Sequence, residues 1–171
     1  MKPQLIVFIF IGLTITFSCK QTSTTTFDYS KLQFDTNRIA IFKWDTTKYV
    51  FPKNSDPLPL TQQDLFVIDS FLMDAIDSFN HTIAPNLFQA FDGKVPLDTF
   101  ILKHERYRYQ YIPFKDVNGH RIVSVIGFSS DFQPWKTAIY RARLHSGMRK
   151  LELRVNLSKK IRDNIRSGDF G

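Results

Sequence analysis

The sequence predicts an α+β domain in which one amphipathic helix packs on a four- to five-stranded antiparallel sheet. Apolar residues recur at helical spacing between Thr61 and Phe79. Strand-like segments with alternating side chains follow over residues 105–129, 135–144 and 150–157, and one precedes the helix. A chain of 171 residues has enough length for one such domain, with the element order β-α-β-β-β-β.

The N-terminus predicts an exported, lipid-modified protein. A short positive start is followed by an apolar run from Leu5 to Phe17, which is too short for a comfortable membrane span and fits the core of a secretory signal. The segment Thr16-Phe17-Ser18-Cys19 resembles a bacterial lipobox, although Thr16 stands where leucine is usual, and Cys19 is the only cysteine. The resemblance implies a signal peptide over residues 1–18 and lipidation of Cys19.

The segment after the cysteine has the composition of a flexible tether. Residues 19–26 comprise Cys19 and a polar stretch without periodicity, and the folded domain is predicted over 27–171. The absence of an acidic pair after Cys19 favours attachment facing the periplasm and leaves exposure at the cell surface open. The alternatives are an uncleaved N-terminal anchor and a plain signal with an incidental cysteine.

The first elements of the domain follow from local chemistry. Arg38 to Trp44 reads as a strand, and the prolines between Asp45 and Pro59 predict a loop. Thr61 is the expected N-cap of the helix, with Asp64 completing a variant of the capping box. The expected buried stripe is Leu65, Ile68, Leu72, Ile76 and Phe79, and we interpret Asp69, Asp74 and Asp77 as solvated surface charges.

Residues 80–103 are interrupted by Pro85, Gly93 and Pro96. We predict a loop with a helical turn over 87–91, whose apolar side chains cover the core. A functional loop is the alternative, because structureless connections of this length are uncommon.

A β-hairpin over 105–129 is expected to order the sheet. Asn118-Gly119 tolerates the positive φ angles of a tight turn. Loops of two or four residues both place Tyr107, Tyr109 and Tyr111 on the same face as Ile122, Ile126 and Phe128. The opposite face would then expose Ile112, Phe114, Val123 and Val125, as a partner surface or beneath a cover formed by Ile161, Ile165 and Phe170.

Two more strands and a short helix complete the prediction. Trp135 to Leu144 reads as a third strand after the helix, and Lys150 to Leu157 shows the cleanest alternation in the chain. In the second of these, Leu151, Leu153, Val155 and Leu157 should face the helix. Ser158 is the expected cap of a closing helix.

The element order resembles the cystatin-like arrangement, in which a curved sheet wraps one helix. The chain also resembles uncharacterised small bacterial lipoproteins, through Ile68-Asp69-Ser70 in the helix and the Tyr-Arg-Tyr-Gln-Tyr strand over 107–111. No cystatin inhibitory motif is visible, and the lipoprotein resemblance implies no particular activity.

Positive charge is concentrated in the second half of the chain. Residues 1–100 carry a formal charge of −2, and residues 101–171 carry +9. Strand parity predicts a basic sheet face turned away from the helix, which is suited to an acidic protein or an anionic glycan because guanidinium groups bind carboxylates through two hydrogen bonds. An ordinary solvated face is the alternative, and export argues against nucleic acid. The predicted surface comprises Arg106, Arg108, Arg121, Arg141, Arg143 and Arg154.

No residue pattern supports a catalytic, cofactor or metal assignment. His81, His104, His120 and His145 lack the spacing of metal ligands, and neither a phosphate-binding loop nor a nucleophile elbow is present. We therefore expect a membrane-tethered, non-enzymatic interaction or accessory module. The alternatives are a ligand-binding or hydrolytic domain with a pocket between helix and sheet, and a peptidase-inhibitor-like module.

Overall fold

The computed structural model describes residues 28–45, 51–129, 131–140 and 147–167. The predicted signal peptide and tether therefore lie outside the described residues. The α+β class is confirmed. The helices and strands are β1 (Ile39–Ile41), β2 (Asp56–Pro57), α1 (Gln62–Thr82), α2 (Ala84–Ala90), β3 (Arg108–Lys115), β4 (Arg121–Phe128), β5 (Lys150–Asn156), β6 (Ile161–Arg162) and β7 (Arg166–Ser167).

The sheet is mixed, so the prediction of a wholly antiparallel sheet is wrong. Its order is β1-β3-β4-β5-β6, while β2 also pairs with β3 and β7 also pairs with β5. β1 runs parallel to β3, with Ile39 opposite Tyr109 and Ile41 opposite Tyr111, and every other pair is antiparallel. A parallel pair needs a long crossover, and the segment between these strands contains both helices.

Helix α1 begins where predicted and ends at Thr82, three residues beyond the predicted end at Phe79. Thr61 caps it: the Asp64 backbone N–H donates to Thr61 Oγ1 at 3.2 Å, and the Thr61 backbone N–H donates to Asp64 Oδ2 at 2.8 Å. All five residues of the predicted stripe are buried, whereas Asp69, Asp74 and Asp77 are exposed. Local capping and helical periodicity were therefore sufficient to place this element.

The Asp64 carboxylate also ties the helix to the sheet, because Arg121 Nη2 donates to Asp64 Oδ2 at 2.6 Å. We expect Asp64→Ala to lower the free energy of unfolding by about 2 kcal/mol, since it removes the carboxylate half of the capping box and leaves Arg121 without its partner. Urea denaturation followed by circular dichroism measures this. Asp77→Ala, at an exposed position of the same helix, is the matched control, and equal losses in both variants would contradict the assignment.

The hairpin forms, but with a register that neither predicted loop gives. Lys115 lies opposite Arg121, Tyr111 opposite Val125 and Tyr109 opposite Gly127, so the loop has five residues, 116–120. Directly opposed residues share a face of the sheet. The predicted grouping of the tyrosines with Ile122, Ile126 and Phe128 is therefore wrong. The tyrosines instead share the helix side with Val123 and Val125.

Apolar residues pack on both faces of the sheet. The inner core, between the sheet and α1, contains the three tyrosines, Val123, Val125 and the helix stripe. The outer core, on the opposite face, contains Ile112, Phe114, Ile122, Ile126 and Phe128. The predicted alternation is confirmed, since the three apolar residues of β5, and Leu157 directly after it, belong to the inner core.

The outer core is covered by loop segments rather than by the predicted closing helix. Phe42, Phe51 and Trp135 are buried in it, and Phe132 and Tyr140 pack against it. The segment 131–140 forms turns, so the described part of the predicted strand 135–144 is not a strand, and residues 141–144 lie outside the described residues. Buried Gln110 holds this segment: its Nε2 donates to the carbonyls of Trp135 and Ala138, and its Oε1 accepts from Tyr140 N–H.

The predicted closing helix after Ser158 is also wrong. β6 and β7 occupy this region, and each pairs with β5. Ile165 is buried on the inner side, Ile161 is 53% exposed, and Phe170 lies outside the described residues. The proposed cover of the outer face is thus not formed by Ile161 or Ile165.

The loop 80–103 is more regular than predicted. It contains α2, with Pro85 in the first turn, where its missing N–H costs no hydrogen bond. Leu87 and Phe88 pack against the inner core as expected, whereas Phe91 and Leu97 are 38% and 41% exposed. The sequence Asp56–Pro57, predicted as loop, forms the short strand β2 beside β3.

Candidate functional site

The arginine cavity is the candidate binding site, and we define it by Arg38, Arg106 and Arg108 together with Glu105 and Asp131. It is an open cavity of about 330 Å³ where β3 begins and β4 ends. Two of its arginines belong to the predicted surface, and Arg38 was not predicted. With three arginines and two acidic residues, the lining residues carry a net positive formal charge.

Arg38 reaches this cavity because β1 runs parallel beside β3. Its backbone carbonyl accepts from Tyr109 N–H at 2.6 Å, which fixes the strand next to the start of β3. Arg38 Nη2 donates to the His104 carbonyl at 2.5 Å and lies 3.2 Å from His104 Nδ1. Among the described residues, the Arg38 guanidinium makes no ion pair with a carboxylate. Its positive charge is therefore stabilised by a backbone carbonyl and an imidazole nitrogen rather than by a carboxylate.

Arg106 and Arg108 are held loosely. Arg106 Nη2 lies 3.8 Å from Asp98 Oδ2, and Arg108 Nη1 lies 3.9 Å from Asp131 Oδ1. Lys103 binds Asp98 more closely, at 2.7 Å, and the Asp131 side chain is fully exposed. Such solvated ion pairs are weak. Both guanidinium groups can therefore exchange these partners for an incoming anion at small cost.

An aromatic ring positions Arg108 at the same end of the sheet. The Arg108 guanidinium lies 5.7 Å from the centroid of the Trp135 ring, which also packs edge-on against Phe128. A cation over an aromatic face is attracted by the ring quadrupole and keeps its hydrogen-bond donors free at the edge of the guanidinium plane. This contact positions Arg108 without neutralising its charge.

The other predicted arginines do not join this cavity. Arg121 lies on the helix side, paired with Asp64, so its predicted position on the outer face is wrong. Its misplacement follows from the one-residue error in the hairpin register. Arg154 is on the outer face, with its guanidinium 5.6 Å from the centroid of the Phe114 ring. Arg141 and Arg143 lie outside the described residues.

Arg154 belongs to a second depression, the outer groove, lined by Ser124, Glu152, Arg154, Asp163 and Arg166 above Ile112 and Ile126. It encloses about 290 Å³. Its two carboxylates balance its two guanidinium groups, and Glu152 also pairs with Lys150. An anion therefore finds less net positive charge here than in the arginine cavity.

His104 and Asp69 lie close enough to suggest an acid–base pair, with His104 Nε2 3.8 Å from Asp69 Oδ1. Burial, reinforced by the positive charge of Arg38, lowers the pKa of His104, which favours the neutral ring. Donation from Arg38 to Nδ1 then places the ring proton on Nε2, facing Asp69. The ring has no lone pair left for a substrate, so this pair is structural.

The interface between α1 and the sheet is filled. Phe79, Tyr107, Tyr109 and Tyr111 are each at most 5% exposed, and burial raises the pKa of Tyr107 to about 12. The Tyr109 hydroxyl donates to the His104 carbonyl at 3.1 Å. The tyrosines thus fill the space between α1 and β3, and a smaller depression of about 180 Å³ lies at the edge of this interface, between α1 and Asn164 and Ile165.

Comparison with known proteins gives no relative from which a site could be transferred. No family model, curated protein or solved structure matches this chain significantly. Within the described ranges, no helix is both long and apolar enough to cross a bilayer. In the same ranges, no three His, Cys, Asp or Glu side chains are grouped to hold a metal ion.

Proposed function

We propose that this protein is a lipid-anchored lipoprotein of the bacterial cell envelope, facing the periplasm, that binds a carboxylate-bearing partner without catalysing a reaction. The observation that carries the binding role is the arginine cavity, an open space with three arginines among its lining residues. The N-terminal sequence supports the anchor, through the apolar run and the lipobox-like segment ending at Cys19.

The chemistry of the cavity favours carboxylates. Guanidinium groups bind carboxylates through paired hydrogen bonds, and this geometry does not require burial of the whole ligand. The size of the cavity suits one or two acidic groups of a larger partner, such as an acidic protein or an anionic glycan. The filled interface between helix and sheet favours this surface role over a hydrolytic or ligand-binding pocket between the layers.

The proposed lipid anchor is tested by replacing Cys19, the proposed site of lipidation. We expect Cys19→Ala to move the protein from the membrane fraction to the soluble fraction, because lipid chains on this cysteine would supply most of the membrane affinity. Fractionation of cells after an alkaline wash measures the distribution. Ser18→Ala, which keeps a small residue before the cysteine, is the matched control. Tight attachment of the Cys19→Ala protein would contradict a lipid anchor.

The binding site is tested with two carboxylated polymers, polyglutamate for an acidic protein and polygalacturonate for an acidic glycan. We expect Arg106→Ala/Arg108→Ala to weaken binding of the preferred polymer about tenfold or more, as loss of charge-assisted hydrogen bonds predicts. Isothermal titration calorimetry at two salt concentrations measures the affinity.

The matched control is Arg166→Ala, which removes an exposed arginine from the outer groove and leaves the cavity intact. Preference for one polymer identifies the class of partner. Equal loss of affinity in Arg166→Ala, or unchanged affinity in the double variant, would place the binding elsewhere or show that it depends only on net charge.

A further inference from the structure

The end of the domain opposite the arginine cavity presents a second exposed surface. We call it the tether end and define it by the hairpin loop 116–120 and the turn 157–160 with Ile161, the first residue of β6. Val117 at the tip of the hairpin is 70% exposed, and Ile161 is 53% exposed. Two aliphatic side chains, one in the hairpin loop and one after the neighbouring turn, are thus exposed to solvent. Elsewhere the domain buries apolar side chains on both faces of its sheet.

Hydrogen bonds join the two turns into one surface. Leu157 N–H donates to the Arg121 carbonyl at 2.8 Å, and Arg121 N–H donates to Ser158 Oγ at 2.9 Å. Residues of both turns, including His120 and Ile161, line a common depression of about 280 Å³. The two aliphatic side chains are therefore presented by a single connected part of the domain.

Hydrogen bonds to one side chain organise the hairpin loop. Asp116 Oδ1 accepts from the backbone N–H groups of Asn118 and His120, each at 2.9 Å, and Asp116 Oδ2 lies 3.1 Å from His120 Nδ1. Asp116, whose carboxylate makes these bonds, is the only acidic residue between 116 and 120. The bonds also leave the Val117 side chain outside the turn.

Positive charge accompanies the aliphatic side chains. Lys159 and Lys160 are adjacent and exposed on the turn that leads to Ile161. Lysine ammonium groups beside exposed aliphatic side chains match a bilayer surface with anionic headgroups, since the charges remain among the headgroups while the apolar groups reach the boundary below.

The chain enters the domain at this same end. Tyr29 Oη donates to the Leu58 carbonyl at 3.1 Å, and Leu58 follows β2, whose Asp56 lies opposite Lys115 beside the hairpin loop. The nine residue steps from Cys19 to Asp28 span at most about 32 Å even when fully extended. A lipid on Cys19 would therefore keep Asp28 within this distance of the bilayer surface, and the lysines and aliphatic side chains would select which end docks.

We propose that the tether end docks on an anionic bilayer surface, with Lys159 and Lys160 among the headgroups and Val117 and Ile161 at the apolar boundary. This inference rests on the proposed lipid anchor and adds an orientation to it. The eight-residue strands β3 and β4 separate the hairpin loop from the arginine cavity by about 25 Å. Docking in this way presents the cavity on the side of the domain away from the membrane.

The test uses the full lipidated chain, in which an introduced cysteine is the only free thiol because Cys19 carries the lipid. Val117→Cys and Ile161→Cys receive an environment-sensitive fluorophore, and Lys136→Cys, beside Trp135 at the cavity end, is the matched control position. The probes are vesicles of phosphatidylcholine alone or with about 30% phosphatidylglycerol, with spin-labelled lipid as the quencher.

In the mixed vesicles we expect quenching at positions 117 and 161 to exceed that at 136 at least about twofold, and to fall when Lys159→Glu/Lys160→Glu weakens the attraction. Equal quenching at all three positions, or protection of 117 and 161 without quenching by lipid, would overturn the docking. A failed anchor is recognised separately, because Cys19→Ala would then leave the cell fractionation unchanged.

Discussion

Replacement of Gln110 by leucine should release the segment 131–140 from the outer face of the sheet. Gln110 is fully buried, and its side chain makes three hydrogen bonds, of 2.6, 2.7 and 2.8 Å, to backbone groups of this segment. Leucine has similar volume but cannot satisfy the two carbonyls or the N–H group. We expect a loss of about 2–4 kcal/mol, limited because the freed segment can rehydrate.

Hydrogen exchange over 131–140 and the emission of Trp135 measure this release, together with the free energy of unfolding from urea titration. Gln89→Leu, at an exposed position of α2, is the matched control. Faster exchange should be confined to residues 131–140, the segment that covers the outer core. Unchanged exchange in this segment would show that apolar packing alone holds it.

The second large effect is expected at Gly127, which lies between Tyr109 on β3 and Leu151 on β5. A Cβ atom at this position would lie 2.7 Å from Leu151 Cγ and 3.0 Å from Tyr109 Cε1. Both neighbours are almost completely buried, so neither can move into solvent. We expect Gly127→Ala to cost about 2 kcal/mol through overpacking of the inner core.

Two variants separate overpacking from a change in backbone freedom. Gly119→Ala introduces a Cβ with no atom within 4 Å but at a φ of +77°, so it measures strain of the backbone alone. Leu151→Ala removes the closest neighbour, and in a double-mutant cycle with Gly127→Ala the two losses should be less than additive. Strict additivity in thermal or urea denaturation would rule out the predicted clash.

The two proposals assign different tasks to the two ends of the sheet. The arginine cavity gathers positive charge where β3 begins, and the tether end places lysines and aliphatic side chains at the hairpin loop and the turn after β5. A lipid-anchored domain needs its partner site accessible above the headgroups. The separation of the two ends by the length of β3 supplies that access, and the fluorescence and calorimetric experiments test the two tasks independently.

Elements governed by neighbours in the chain were predictable. The cap at Thr61, the buried stripe of α1 and the alternation of β5 each depend on contacts or periodicities within a few residues. The hairpin was also expected, but its register was not. The Asp116 carboxylate organises a five-residue loop around Asn118-Gly119, and a shift of one residue from either predicted register moves β4 to the other face.

The arginine cavity was likewise predictable only in part. Arg106 and Arg108 were expected to be accessible from strand parity, whereas Arg38 is 68 residues before Arg106 and carries no local signal of its partners. It reaches them only because β1 lies parallel to β3. The outer core likewise needs Phe42, Phe51 and Trp135, which come from segments that local patterns could not place on this face.

By itself, the sequence determined the α+β class, the capped helix and the apolar face of β5. Tertiary structure alone decided the hairpin register, the parallel strand, the cover over the outer core and the meeting of three arginines. The physical reason is that capping and periodicity act over a few bonds. Register and strand partnership instead depend on small free-energy differences among long-range arrangements that bury similar amounts of apolar surface.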